Sequence, residues 1–329
     1  MLIVKFSIGV AKLFSKIEPK ATIIGTLALI VVALVTYILP EVGWLLCLFA
    51  TIPGIILWNK SIPSFGLATI VTLVIAVLFG NTIVLSAMIL VLISSIVIGQ
   101  LLKERASKEQ ILYIATTVAS TITIIGFMLL QVFGHIPKAQ VLVRTAVKPL
   151  EDLLDQAYVQ SGMKAEYEQT LSFIIKQLSI QLPSYMIIAI FILILINLLV
   201  TFPILRKFKI ATPIFKPLFA WQFKRSVLWL YVIDLICVMF ATQPSIFQSI
   251  VINLKIMLSL LMYIQGLSVI HFFGKAKRMP DVVTIILMVI GTIISPVTHI
   301  VALIGVLDLG INLKQIIKKD TKKRIEVEK

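Results

Sequence analysis

PSYMIIAIFILILINLLVTFPI, residues 183–204, carries no charged side chain over its whole length. As a helix rising 1.5 Å per residue, such a run reaches about 30 Å, the thickness of a bilayer's hydrocarbon core. Comparable apolar runs lie at 21–39, 43–59, 64–80, 82–101, 110–134, 226–243, 246–273, 279–295 and 296–313. The chain of 329 residues is 59% hydrophobic and 14% charged, with a mean hydropathy of +1.07; soluble domains carry about 25% charged residues. These features predict an all-α integral membrane protein with about ten transmembrane helices.

The formal net charge is +15, which in a soluble protein would suggest nucleic acid. Position argues otherwise. If the N-terminus is cytoplasmic, the inner segments hold Lys5, Lys12, Lys16, Lys20, Lys60, the groups at 103–108, 206–225 and 275–278, and the tail from Lys314. Together these account for 24 of the 30 Lys and Arg residues. The long outer segment, 135–182, balances five basic against five acidic residues. That asymmetry follows the positive-inside rule and places both termini in the cytoplasm. Crossing twice over 279–313, with a turn near Ser295-Pro296, returns the basic tail to that side, and proline breaks a helical ladder. No cleavable signal peptide is evident; residues 1–20 instead read as a basic interfacial helix with Leu2, Phe6, Val10, Leu13 and Ile17 opposite its lysines.

The expected organisation is therefore a five-span bundle at 21–134, an extracytoplasmic segment at 135–182, a second five-span bundle at 183–313 and a basic tail at 314–329. In the outer segment, Leu150, Leu153, Leu154 and Ala157, then Leu171, Ile174, Ile175 and Leu178, recur at helical spacing. They predict two amphipathic helices on the outer face, separated at Gly162 and ended by Pro183, serving as a lid or simply as a cap.

Asp234 breaks the run YVIDLICVMF, residues 231–240, and Lys255 breaks the next one. A short turn around Pro244 joins the two, and both charges lie about nine residues from it, or about 13 Å deep at 1.5 Å per residue. Matched depth predicts a buried ion pair, because an isolated charge there costs roughly 2.5 kcal/mol or more. Such a pair either pins helix register or lines a cavity with Asn253 and Gln265 as a polar stripe. Asp308 reads as an interfacial residue within reach of Lys314. His271 and His299 read as packing residues, and three scattered histidines have no metal-ligand spacing. Cys47 and Cys237 lie inside apolar runs and suggest neither a disulfide nor a catalytic thiol. No phosphate loop, H-E-x-x-H or G-x-S-x-G is present, so no enzymatic activity, metal or cofactor is expected.

Three blocks resemble the YybS family of predicted bacterial membrane proteins. INLKIMLSLLMYIQGLSVIHFF at 252–273 has Asn253-Leu254 and Gln265-Gly266 at matching places. IVALIGVLDLGINLK at 300–314 has Gly305, Asp308 and a following basic residue, although Leu309, Gly310 and Ile311 depart from the family's more aromatic ending. PIFKPLFAWQF at 213–223 is also similar, with Pro217 and Trp221. The resemblance implies a multi-pass protein of the bacterial cell membrane. It also implies a distant likeness of the first five or six spans to S components of energy-coupling-factor transporters, which bind substrate within the membrane. Ala21, Gly25 and Ala28 would then supply a small-residue face for docking a partner helix.

Two functions follow. One is a substrate-binding or transport component, with a separate energising subunit. The other is a non-transport scaffold or regulatory partner of the envelope, in which the loop at 206–225 grips anionic lipid or an acidic protein. The lipid bilayer is the expected partner in both, and nucleic acid in neither.

Overall fold

Proline and small polar residues set where the apolar runs begin to coil. Pro19, Pro40, Pro63 and Pro296 sit in the first turn of their helices, where a missing N–H costs nothing and φ is already helical. Asn81 and Ser107 cap the two helices that follow them, and Ser107 forms a reciprocal capping box with Gln110. The computed structural model describes residues 17–161, 164–241, 243 and 245–318. The expected interfacial helix therefore lies outside the described residues up to position 16, as do Gly162, Pro244 and the tail beyond 318.

The chain divides into two compact units. The first contains α1 (Pro19–Ile38), α2 (Pro40–Lys60), α3 (Ile62–Leu78), α4 (Thr82–Lys103) and α5 (Lys108–Val132), followed by residues 186–215. Its core is built from Ile55, Ile98 and Ile111 against Leu198, Phe202 and Leu205, with a second cluster around Leu29, Leu57 and Phe65. Apolar side chains also cover the outside, where Leu78 and Val132 are 77% and 80% exposed. That outer surface suits lipid, which needs no polar shell.

The second unit contains α6 (Ala139–Ser161), the N-terminal half of α7 (Lys164–Lys207), a 3-10 turn at Leu218–Ala220, α8 (Arg225–Phe240), α9 (Ile246–Ala276), α10 (Asp281–Ile293) and α11 (Ser295–Ile311). Here α9 packs on α8, α10 and α11. Its closest approach is to α11, through Gly266 and Gly305. A Cβ added to Gly266 would lie 1.8 Å from the Val301 carbonyl oxygen, and one on Gly305 would lie 1.9 Å from that of Met262. Backbone meets backbone at this crossing, as small residues permit inside membranes.

Each expected span contains a helix, and among the described residues no strand is present. Six helices (α1, α2, α4, α5, α7 and α9) are long and apolar enough to cross a membrane, and the α10–α11 pair makes a seventh candidate. The count of ten further needs α3, α8 and separate crossings by α10 and α11, all of 17 residues or fewer. The final pair is neither a tight hairpin nor one straight helix: it bends by 111° at Ile294. With 13 residues, α10 reaches about 20 Å, short of a hydrocarbon core.

The outer segment also needs correction. The second amphipathic stretch does not end at Pro183 but continues as one 44-residue helix. The reason is Asn253 on α9. Its Oδ1 accepts the Ser184 N–H at 2.9 Å, and its Nδ2 donates to the Ile180 carbonyl at 2.8 Å. In an unbroken ladder those two backbone groups would bond to each other. The amide bridges the ladder just past the proline and satisfies both ends. Asn253→Ala is expected to lower stability by about 2 kcal/mol, as two backbone groups lose their partner. A melting temperature equal to wild type in detergent would show that the ladder closes unaided.

Candidate functional site

The four residues expected to form one polar stripe do three separate jobs. Asn253 is committed to α7, as above. Gln265 faces α11 and the loop before α8: its Nε2 donates to Asp308 Oδ2 at 2.6 Å, and its Oε1 accepts the Phe223 N–H at 3.1 Å. Asp234 is 3% exposed, and among the described residues neither carboxylate oxygen has a hydrogen-bond partner. Lys255 is half-buried and close enough for its charge to act on Asp234, yet among the described residues no ion pair joins them. The expected salt bridge is therefore not closed. Equal distance from a hairpin matches depth along two helices but leaves their rotation about their own axes undetermined.

What the stripe loses, a compact cluster at the other end of α8 and α9 gains. Asp308 is fully buried, and its Oδ1 accepts the Lys314 N–H at 3.0 Å. Asn312 makes this possible by ending α11 in the left-handed region, φ 60°, so the chain turns back over the helix end. The Lys314 ammonium then reaches inward to Ser268 Oγ at 2.7 Å and to the Trp221 carbonyl. The Ser268 hydroxyl, with one proton to donate, lies within hydrogen-bond distance of two carbonyls of the loop before α8, those of Leu218 and Trp221. Burial pulls the proton affinity of Lys314 below that of an ordinary lysine, and the Asp308 carboxylate opposes this. The cluster ties the 216–224 loop to α9 and α11 through hydrogen bonds, leaving Lys216, Lys224 and Arg225 exposed. Asp308 is thus a core anchor rather than an interfacial residue. His271 packs edge-on against Phe219 of the same loop.

In the first unit, a cavity of about 260 Å³ opens between α2, α4, α5 and the C-terminal half of α7. None of its lining residues is charged. Trp44 and Leu193 stand exposed at its mouth, and Thr51, Ser94 and Asn197 are buried. Asn197 Nδ2 donates to Thr51 Oγ1 at 2.8 Å and to the Leu48 carbonyl, while its Oδ1 has no partner among the described residues. Sequence reading passed over this site because Asn197 is a single amide within an apolar run.

The small-residue face expected to dock a partner is used inside this same unit. Gly25 is buried with its Cα against Leu57, Ala21 packs on that cluster, and Ala28 is half-buried.

Comparison with known proteins agrees with the family resemblance read from the sequence. Uncharacterized protein YybS of Bacillus subtilis (strain 168) is 29% identical over 174 residues, covering 51% of this chain and 55% of its own length. The chain thus matches about half of that relative. No solved structure matches, so the distant likeness to S components has no counterpart among these comparisons. The family model described as "Predicted membrane protein (DUF2232)" matches residues 26–309. From α1 to the last turns of α11 the match is continuous, and the chain belongs to the DUF2232 family of predicted membrane proteins.

Proposed function

We propose that this protein is the substrate-binding membrane component of a transport system, and that it holds its substrate in the cavity of the first unit. The observation that carries this reading is the lining: a pocket walled by apolar side chains, without a formal charge, beside a buried amide whose carbonyl oxygen has no partner among the described residues. Ligand pockets have this composition, mainly apolar with a few convergent polar groups. A charged substrate would be stripped of water with nothing to replace it. The substrate class is therefore an uncharged, largely apolar molecule with one hydrogen-bond donor for Asn197. The basic inner segments support cytoplasmic termini, and energy would come from a separate subunit, since the chain contains no phosphate loop.

Native mass spectrometry of the gently solubilised protein tests this. A small-molecule adduct is expected on the wild type and is expected to be lost in Ala189→Trp, which fills the mouth from α7 at an exposed position. No adduct on wild type, or an adduct unaffected by the tryptophan, would sink the reading.

A second reading, an envelope scaffold or regulatory partner, is favoured by the firmly anchored 216–224 loop with its exposed basic residues. Affinity isolation separates the two: an ATPase module co-purifying favours transport, and envelope machinery favours the scaffold.

A further inference from the structure

The second unit buries two carboxylates in different circumstances. Asp308 is fully buried and accepts a hydrogen bond on each oxygen. Asp234, 3% exposed, accepts none among the described residues. An ionised carboxylate needs donors on its lone pairs when water is removed, and without them the neutral acid is the cheaper form. Two carboxyls in one bundle are thus provided for in opposite ways, and the one without donors is suited to the neutral form.

Lys255 keeps that state from being permanent. Two helices pack on α8. Their charged or titratable side chains are Lys255, Tyr263, His271 and Lys275 on α9, and His299 and Asp308 on α11. Of these, Lys255 is the one whose charge acts on Asp234. The Lys255 ammonium has no hydrogen bond or ion pair of its own among the described residues, so a negative charge on Asp234 would give it the partner it lacks.

We propose that Asp234 is a proton-binding site inside the membrane, exchanging between a neutral acid and a carboxylate that faces Lys255. The step is a bare proton transfer. The O–H bond breaks, its electron pair stays on the carboxylate, and the proton passes to water. The protonated state leaves Lys255 as a lone cation. The deprotonated state draws the two side chains together across the α8–α9 contact, which gives the bundle two arrangements that proton binding can bias. Intramembrane carboxylates opposite a basic group are suited to proton relays and ion coupling. The inference does not depend on the cavity in the first unit.

Dicyclohexylcarbodiimide reads this state directly, because it adds to protonated carboxyls in apolar surroundings and leaves an N-acylurea of known mass. The full-length protein in lipid nanodiscs is treated across an acid-to-alkaline series, digested and analysed by peptide mass spectrometry. Asp234 is expected to be labelled in acid and to fall to background in alkali. Sodium at constant pH is expected to have no effect. Lys255→Met is expected to move the midpoint about one pH unit upward, since removing a nearby positive charge lets the acid hold its proton longer. Asp234→Asn supplies the blank.

Absence of an Asp234 adduct at every pH overturns the proposal, as does labelling that does not vary with pH. Protection by sodium also overturns it, in favour of a metal-cation site. An unmoved midpoint in Lys255→Met removes Lys255 from the switch. If that variant fails to fold, the wild-type series decides alone.

Discussion

Gly305→Ala is expected to destabilise the folded protein by at least about 3 kcal/mol, at the upper end of the cost of forcing one methyl into a packed interface. On propensity alone the change would help, because alanine in a helix interior is better than glycine by about 1 kcal/mol. Sterics decide against it. The added carbon would lie 1.9 Å from the Met262 carbonyl oxygen and 2.8 Å from the Gly266 nitrogen. These are backbone atoms and cannot rotate away, so α9 and α11 must separate and lose their tightest crossing. Gly310→Ala, on the same helix, is the control. Its nearest neighbour would be the Leu228 side chain at 3.9 Å, an ordinary contact, and it is expected to be neutral or slightly stabilising. Thermal unfolding of both variants in one mild detergent measures the difference. Equal melting temperatures would mean that the two helices do not meet at Gly305 as described.

How much of this was legible in advance depends on the range of the interaction. Helix formation follows from local runs, and every apolar stretch named from the sequence contains a helix. The Asp308–Lys314 proximity was also legible, since six residues around a helix end keep the two within reach. What depended on helix rotation was not. Asp234 and Lys255 are level by the length of their hairpin, but whether their side chains meet depends on packing about each axis, and no ion pair closes. Pro183 looked like a terminus because a proline locally breaks the ladder. Asn253, seventy positions later, bridges that break, and nothing near Pro183 announces it. The cavity is hidden for a similar reason. It exists only when Asn197 meets Leu48 and Thr51, nearly 150 residues earlier, and its uncharged walls leave no mark against an apolar background.

Asp308→Asn is expected to cost about 1.5–3 kcal/mol, the range for hydrogen bonds to a charged group. The substitution keeps the size of the side chain, so packing is not the reason. What is lost is the negative charge near the Lys314 ammonium, which is buried at 7% exposure and held among the described residues by Ser268 Oγ and the Trp221 carbonyl. An amide presents Gln265 and the Lys314 N–H with at most one acceptor where the carboxylate offered two. Lys314→Met alone is expected to cost less, because the carboxylate keeps both of its donors, Gln265 Nε2 and the backbone N–H of position 314. In the double variant neither charge remains, so its loss is expected to be smaller than the sum of the single losses; simple additivity would show that the two groups are not coupled. The pH dependence supplies an independent check. Lys314 already holds its proton less tightly when folded, and Asp308→Asn exaggerates this. The folded state then binds fewer protons than the unfolded chain, so stability rises with pH. The variant is expected to regain part of its lost stability as pH climbs towards 10.5, the ordinary value for lysine. A deficit that stays constant along that climb would place the damage in the hydrogen bonds of Gln265 rather than in the uncompensated charge.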